Sequence, residues 1–468
     1  MDKLDLARWQ FAATSINHFF FVPVTIGLAF LTALLQTAWY RTTKPEYLRL
    51  TRFFGVLLVI NVAVGVVTGL VQEFQFGMNW SAYSRLVGNI FGVPLAMEGL
   101  IAFFLESTFL GLWIFGWDKL PRGVHLATIW CVGAGTILSA MTILMAKSWM
   151  QHPVGYTMVR GKPQLNDIWA VMTNPVFLWG FTHVILDSIV TGCVVMLAVS
   201  AWQLRKGGAS KEIFGRSARL SIGLLVPVLA LDMFIGSELG VIEARYQPMK
   251  IAAAEAQWQT CQPCSFSLFQ IGGGNNDHTP TQIIEVPHVL SILATNSWNG
   301  RVVGLTPLQN QYSAKYGPGN YVPNVFIQYW AMRGMAYVAS LALLVGLWGL
   351  WLMRRKQVPT SRAFLWCATW MVIAPFLMNT AGWLLTESGR QPWAVQGIML
   401  TKNGVSPSVT ATDLWISVVG FGLIYTAIAV LDAVLMVRYG RRELTPAPAL
   451  AAEDREAGEP ARVPSVLY

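Results

Sequence analysis

The sequence predicts an all-α polytopic membrane protein with nine transmembrane helices. Of its 468 residues, 54% are apolar and only 12% are charged, whereas a soluble domain usually has about 25% charged residues. The 20 tryptophans agree with a membrane location, because tryptophan is enriched at bilayer interfaces. The apolar residues also fall into nine long runs that are nearly free of charge. Together these observations exclude a soluble globular domain.

Each run has about the 20 residues, or somewhat more, that a helix needs to cross the hydrocarbon core. The helical prediction follows from the lipid environment, because an open strand would leave backbone polar groups without partners there. In chain order the predicted spans are 12–38, 52–75, 91–116, 124–146, 176–202, 218–240, 326–352, 363–385 and 413–437.

Lysine and arginine are distributed unequally between the two sides of these spans. Twenty of the 33 basic residues lie in the short segments 39–52, 117–123, 203–219 and 353–362 and in the tail from 438. The opposite segments hold 12 basic residues over a much longer stretch of chain. Basic residues collect on the cytoplasmic side, so the N-terminus is predicted outside and the C-terminus in the cytoplasm. The net charge of +9 therefore reflects orientation and does not indicate a nucleic-acid partner.

The spans divide the chain into four regions. These are a six-helix membrane region at 1–240, an external segment at 241–325, a three-helix membrane region at 326–440 and a tail at 441–468. Strong helix formers at 250–256 predict a short helix in the external segment. The tail is rich in Ala, Pro, Glu and Arg, a composition that predicts disorder.

The five cysteines fall into two groups. Cys131, Cys193 and Cys367 lie in predicted helices, where cysteine serves as a small apolar packing residue. Cys261 and Cys264 form a Cys-Gln-Pro-Cys motif in the external segment. This motif is either a local disulfide, as an oxidising compartment favours, or half of a zinc site. The sequence has no second cysteine pair to complete four zinc ligands, which favours the disulfide.

A few polar residues lie inside the predicted spans, where ionisable groups are costly and indicate function. His18, His183, Met335 and Glu387 share one predicted depth toward the outer face, which independent packing residues would not require. Histidine, methionine and carboxylate side chains can bind haem iron. The alternatives are hydrogen bonding between helices for the histidines, packing for the methionine and an interfacial position for the glutamate. The other histidines are predicted to be surface or loop residues: His125, His152, His278 and His288.

Two arginines accompany the candidate ligands. Arg333 precedes Met335 by two residues, and Arg390 follows Glu387 by three. Guanidinium groups bind carboxylates bidentately, so both arginines are candidates for pairing with haem propionates.

Glu98 and Glu106 both lie on the third predicted span. On a regular helix their side chains would project within about 80° of one another and lie about 12 Å apart along the axis. Buried carboxylates have raised pKa values and can pass protons. The alternative is a structural glutamate that is hydrogen-bonded to a neighbouring helix.

Several motifs resemble those of subunit I of the cytochrome bd oxidase family. The stretches Gly92–Gly99 and Phe103–Thr108 resemble its third-helix signature, and Gly382–Trp393 resembles its GWxxxExGRQPW motif. Arg8–Phe19 is similar to its amino-terminal haem segment, and Met332–Met335 matches its MR-x-M motif. The resemblance covers all nine predicted spans.

This resemblance implies a terminal respiratory oxidase subunit with two b-type haems and one d-type haem. Quinol would be oxidised at the outer membrane face and O₂ reduced to water, and proton motive force would arise without a dedicated pump. His183 and Met335 would hold a low-spin b haem, the entry point for electrons. His18 and Glu387 would serve the high-spin pair, with His18 assigned to the d haem and Glu387 to the second b haem.

Further roles follow from the same resemblance. Glu98 would be an additional ligand or a proton donor at the d haem, and Trp383 would lie between haems. Glu106 would lie on a proton path from the cytoplasm. Lys250 and Glu255 resemble the quinol-site residues of the external loop, where both could reach one quinol headgroup.

The family works as a heterodimer in the bacterial inner membrane, so subunit II is an expected partner, together with a small single-helix accessory subunit in some members. The external segment resembles the short-loop branch of the family, which leaves menaquinol and ubiquinol both open as the substrate.

Two rival functions have different requirements. A proton-coupled transporter would use Glu98, Glu106 and Asp232 as proton carriers and would need no haem. A non-catalytic di-haem electron-transfer subunit would use His183 and Met335 but gives no role to Glu387.

Overall fold

The computed structural model describes residues 2–208, 210–354 and 358–444 and is mostly helical. Within these residues, nine helical spans are long and apolar enough to cross a membrane. They are Lys3–Thr42, Pro45–Met78, Ser81–Phe115, Arg122–Gln151, Pro175–Lys206, Lys211–Tyr246, Val325–Met353, Arg362–Gly389 and Ala411–Gly440. Each predicted span coincides with one of them, so the prediction of nine spans is confirmed.

Two spans are composite. The third consists of α3 (Ser81–Met97), a π-helical segment (Glu98–Phe103) and α4 (Phe104–Phe115), and the eighth of α13 (Arg362–Trp370), a 3₁₀ turn and α14 (Ala374–Gly389). The remaining spans are α1 (Lys3–Thr42), α2 (Pro45–Met78), α5 (Arg122–Gln151), α7 (Pro175–Lys206), α8 (Lys211–Tyr246), α12 (Val325–Met353) and α15 (Ala411–Gly440).

Short polar residues begin several of these helices. Asn174 precedes α7 and its side chain accepts a hydrogen bond from Val176 N at 3.0 Å. Asn324 caps α12 in the same way at Ile327 N, and Thr410 caps α15 at Asp413 N, also as part of a capping box. Such caps satisfy amide groups that a helix cannot pair internally.

α1 lies at the centre of the bundle, in contact with α2, α5, α7, α14 and α15. Its closest approach to α7 occurs where Gly27 faces Gly192, since a Cβ on Gly27 would lie 2.7 Å from the Gly192 Cα. Small residues let membrane helices pack with their backbones in contact. The α1–α7 interface therefore depends on these two glycines.

Residues 247–324 form the long connection between α8 and α12. It begins with α9 (Pro248–Ala254), which corresponds to the helix predicted at 250–256, and it contains α10 (Val289–Thr295) and α11 (Leu305–Tyr316). Strands β3 (Phe266–Ile271) and β4 (Thr281–Val286) form an antiparallel hairpin with Phe266 opposite Val286. The structure joins Cys261 and Cys264 by a disulfide.

Two smaller hairpins and one short helix complete the fold. Strands β1 (Tyr156–Val159) and β2 (Lys162–Leu165) follow α5, and the short helix α6 (Ile168–Met172) precedes α7. Strands β5 (Trp393–Val395) and β6 (Met399–Leu400) follow α14. Most of the tail that was predicted to be disordered, residues 445–468, lies outside the described residues.

His125 was predicted to be a surface or loop residue, and this prediction is wrong. The residue is 2% exposed and its Nδ1 and Nε2 contact Gln36 Nε2 at 2.8 Å and the Trp113 carbonyl at 2.9 Å. The sequence places it near a helix start, but the end of α4 folds over it. His278, in contrast, is exposed and stacks on Trp258.

We expect Gly27→Val to destabilise the bundle by at least about 3 kcal/mol, at the upper end of overpacking costs, because backbone atoms of α7 cannot move aside. The measurement is thermal unfolding of the purified protein, followed by tryptophan fluorescence. Gly223→Val is the control, since a Cβ at Gly223 meets nothing within 4 Å. Equal unfolding temperatures for the two variants would contradict the proposed packing.

Candidate functional site

A cavity of about 680 Å³ lies between the first five spans and α14. Its volume is within the range of about 300–1,000 Å³ that is typical of ligand pockets. Five of the residues singled out from the sequence line it: His18, Glu98, Glu106, Trp383 and Glu387. Residues that are distant in sequence, on three different spans, therefore meet at one site. Glu73 also lines the cavity and was missed by the sequence analysis.

The His18 ring is held by α2. Its Nδ1 lies 2.9 Å from Thr68 Oγ1, and that hydroxyl also lies 2.9 Å from the Gly65 carbonyl. A threonine hydroxyl has a single proton, which it donates to the helix carbonyl, so it accepts from Nδ1–H of His18. This network assigns the tautomer in which the Nε2 lone pair is available to a metal.

The His183 ring is held by α8 through a carboxylate. Its Nδ1 lies 2.8 Å from Asp232 Oδ1, and Asp232 is buried. A carboxylate that accepts from one ring nitrogen fixes the orientation of the ring and makes the other nitrogen a stronger metal ligand. The sequence analysis considered Asp232 only as a proton carrier.

Three candidate ligands each face a glycine on a neighbouring helix. A Cβ at these glycines would lie 3.1–3.4 Å from the ligand side chain, which is tighter than ordinary van der Waals contact. The pairs are Gly69 with His18, Gly236 with His183, and Gly382 with Met335. At these three positions the absent side chain lets the ligand side chain pack directly against the backbone of the neighbouring helix.

Glu98 begins the π-helical segment, and its carboxylate accepts hydrogen bonds from Ser139 Oγ at 2.7 Å and Thr142 Oγ1 at 3.2 Å. The angle and rise expected between Glu98 and Glu106 assumed a regular helix, and this assumption is wrong. π-helical turns have i→i+5 hydrogen bonds and often occur at functional sites. Both carboxylates nevertheless line the same cavity.

Lys147 is a cation of this cavity that the sequence analysis missed. It was counted among the basic residues outside the spans, but it belongs to α5, and its Nζ lies 4.3 Å from the centre of the Trp383 ring. Trp383 also packs edge-on against Phe19, with ring centres 5.0 Å apart. The tryptophan is thus fixed between an aromatic ring and a cation at the cavity wall.

Arg390 is buried beside Glu387. Its Nη2 donates to Glu387 Oε2 at 2.6 Å, while Nε and Nη1 have no hydrogen-bond partner among the described residues. Two buried guanidinium donors without partners suit a second carboxylate, such as a propionate. The residues of the site therefore fit a haem.

Arg333 was also predicted to pair with a haem propionate, but its guanidinium has other partners in the structure. Its guanidinium donates to Glu255 Oε2 at 2.7 Å, to the Ala254 carbonyl at 2.6 Å and, from Nε, to the Ser267 carbonyl at 3.0 Å. These bonds, together with further ones from Nη1 to Glu255 and from Nη2 to Ser267, engage all five N–H donors. Arg333 therefore attaches the segment 247–324 to α12 and has no donor left for a propionate.

Lys250 lies in α9, Glu255 caps its C-terminal end, and both are buried. Lys250 forms an ion pair with Glu243 on α8, a residue the sequence analysis did not single out, and Glu255 pairs with Arg333 on α12. The two side chains are thus directed to different partners. Burial raises the pKa of the Glu255 carboxyl, although the Arg333 guanidinium opposes this effect.

Comparisons with known proteins agree with the motifs. The family described as cytochrome bd terminal oxidase subunit I matches residues 6–444. Cytochrome bd ubiquinol oxidase subunit 1 of Bacillus subtilis (strain 168) is 43% identical over 445 residues, 94% of this chain and 93% of that protein. Cytochrome bd-II ubiquinol oxidase subunit 1 of Escherichia coli (strain K12) is 36% identical over 501 residues, 94% of this chain and 96% of that protein.

A solved structure agrees as well. The bd oxidase from Geobacillus thermodenitrificans matches with a TM-score of 0.86 at 28% sequence identity, covering 95% of this chain and 99% of the other.

We expect Arg333→Met to destabilise the protein by about 3–5 kcal/mol, because it leaves the Glu255 carboxylate buried without a partner. The double variant Arg333→Met with Glu255→Met should recover most of this loss, since no unpaired charge remains. The measurement is the rate at which a protease cleaves residues 256–324 in the folded protein.

The control is Glu443→Gln, which breaks the exposed ion pair with Lys206 and should leave the cleavage rate unchanged, because exposed ion pairs contribute little to stability. If the double variant were cleaved as fast as the Arg333→Met variant, the explanation based on an unpaired buried Glu255 carboxylate would be contradicted.

Proposed function

The chain belongs to the cytochrome bd terminal oxidase subunit I family and is a multi-pass quinol oxidase subunit, and from this premise we propose how its residues serve that activity. The N-terminus lies outside and the C-terminus in the cytoplasm of a bacterial inner membrane, as the distribution of basic residues supports. Family membership implies haem cofactors, quinol as substrate and subunit II as partner. Two b haems, one d haem and a small accessory subunit belong to the proposal.

His183 and Met335 would hold the low-spin b haem. The hydrogen bond from His183 to Asp232 supports this assignment, as do the glycines that face both ligands. When bound, the haems would supply the redox chemistry that takes electrons from quinol and reduces O₂ to water. The protein's part is to orient, space and electrostatically tune them.

His18 and Glu387 would hold the high-spin pair, with His18 assigned to the d haem. The single observation that carries this proposal is the cavity on which both residues converge with Glu98, because one continuous volume joins them. Arg390 and Lys147, rather than Arg333, would neutralise propionates, with one of the two buried Arg390 donors that lack partners bonded to a propionate and the other left for a neighbouring group. Both cations lie next to the cavity or to Glu387.

Glu106 and Glu98 would carry protons from the cytoplasmic side toward the cavity. Ser139 and Thr142 hold the Glu98 carboxylate in place, which supports a fixed final donor or an additional haem ligand. Protons for water would enter from the cytoplasm while quinol protons leave outside. Charge would then be separated across the membrane without a dedicated pump.

Lys250 and Glu255 would receive the quinol, which is either menaquinol or ubiquinol. The raised pKa of Glu255 suits a carboxylate that accepts a proton from the quinol hydroxyl. Lys250 would release Glu243 and donate to the second quinol oxygen. In this proposal both side chains extend from the same short helix. Before quinol binds, Lys250 is paired with Glu243 and Glu255 with Arg333.

The transporter alternative has less support. One of its three carriers, Asp232, is hydrogen-bonded to His183, a pairing that orients a ligand. The di-haem electron-transfer alternative leaves unexplained why Glu387, Trp383 and His18 line one cavity.

A reduced-minus-oxidised visible spectrum of the purified oxidase with its partner subunit tests the proposed cofactors. We expect a chlorin-type d band beside two b-type signals, as the proposed cofactors require, since His18, Glu98 and Glu387 line a cavity that His183 and Met335 do not line. A spectrum with b-type signals alone would contradict the high-spin assignment, and a folded sample without haem would contradict the whole proposal.

His183→Ala should remove the low-spin b signal and leave the high-spin signals largely intact, because His18 and Glu387 lie at a separate cavity. Low-temperature visible and electron paramagnetic resonance spectra provide the measurement. Thr68→Val, which alters the support of His18, should leave the low-spin signal unchanged. Loss of every haem signal in a folded His183 variant would count against this assignment.

Glu255→Gln should lower the rate of quinol oxidation on the order of hundredfold, the usual loss when a general base is removed. Lys250→Gln should lower it about tenfold, as expected when a hydrogen bond from a charged group is lost. Haem spectra should be unchanged in both. The measurement is steady-state quinol oxidation, and normal kinetics in both variants would remove these residues from the quinol site.

A further inference from the structure

A small pocket lies where α9 and α11 pack against the turn after α14. Its volume is about 10 Å³, which is about the space that a single water molecule needs. The lining includes Gln247, Lys250, Arg390, Gln391 and Trp393. The pocket is therefore separate from the large cavity and too small for a quinone ring or a haem.

Six buried polar atoms of the lining residues have no hydrogen-bond partner among the described residues. They are Nε2 and Oε1 of Gln247, Nε and Nη1 of Arg390, Oε1 of Gln391 and Nε1 of Trp393. Buried polar atoms in folded proteins are almost always paired, and ordered water supplies the partner where the chain does not. Because the set includes donors and acceptors, a water molecule suits it better than a bare cation or an apolar group.

The pocket also lies between two buried ion pairs. Lys250, on one side, is paired with Glu243, and Arg390, on the other, is paired with Glu387. No other pocket-lining residue carries a charge. A hydrogen-bonding molecule in this pocket would therefore contact Lys250 and Arg390, or the side-chain amides of Gln247 and Gln391 beside them.

We propose that this pocket is an internal water-binding site that links the ion pair at the quinol site with the ion pair at the haem site. The water would form hydrogen bonds with both Gln247 and Arg390. A change in the partner of Lys250 would then alter the hydrogen bonding of Arg390 through this water. The linking role rests on the proposed function, whereas the presence of bound water does not.

The test uses the complete oxidase with its haems and partner subunit. The first readout is the O–H stretching band of internal water in redox-induced infrared difference spectra, which should shift when H₂¹⁸O replaces H₂O. The second is the steady-state rate of quinol oxidation. The variants are Trp393→Phe and Gln247→Met, alone and combined, which remove polar atoms that face the pocket. Gln247→Met also keeps the side-chain volume nearly constant.

We expect the combined variant to lose the shifted band and to oxidise quinol about fivefold more slowly, the effect of one hydrogen bond of ordinary strength. Trp80→Phe is the matched control, because Trp80 Nε1 is also buried without a partner among the described residues but does not line the pocket. This variant should keep both the band and the rate.

Two results would overturn the proposal. Absence of any O–H band that shifts in H₂¹⁸O, the result expected if a chloride ion filled the pocket, would exclude bound water. A band lost in the combined variant with the rate unchanged would exclude the linking role. Failure of the quinol assignment itself would appear separately, as normal kinetics in the Lys250 and Glu255 variants.

Discussion

The hydrocarbon core cannot solvate charge, and the arrangement of this protein around its site follows from that constraint. Several ionisable groups of the site are matched in pairs. His183 pairs with Asp232, Lys250 with Glu243 and Arg333 with Glu255 across helix interfaces, and Arg390 pairs with Glu387 at the end of α14. Breaking one partner of such a pair costs far more than the pair contributes as a unit. The pairs therefore determine which helices can be neighbours and how the segment 247–324 attaches to them.

The short helix α9 shows what this pairing achieves. Seven residues are too few for a helix to be stable alone, yet α9 is held from two sides, by Glu243 on α8 and by Arg333 on α12. The same bonds keep Lys250 and Glu255 charged or hydrogen-bonded before any quinol arrives. In the proposed mechanism a quinol headgroup exchanges partners with these groups and does not have to desolvate them, which lowers the cost of binding.

The sequence was sufficient for the nine spans and for five of the residues around the cavity, but not for Glu73 and Lys147. Hydrophobic length and residue type are local properties. The sequence was insufficient for predicting which side chains form ion pairs and hydrogen bonds with the site residues. Lys147 was assigned to a loop because a helix boundary cannot be located to within a few residues. Glu243 and the ligand-orienting role of Asp232 depend on how distant helices pack, and the π-helical turn at Glu98 depends on backbone bonding that residue types do not encode.

The two histidines illustrate how packing assigns different roles to identical side chains. A carboxylate faces His183, whereas a neutral hydroxyl faces His18. An anionic acceptor makes imidazole a stronger ligand than a neutral one does. In the proposal, the stronger ligand would belong to the low-spin b haem and the weaker one to the haem at the cavity. The side chain behind each ring would therefore tune the two proposed ligands differently.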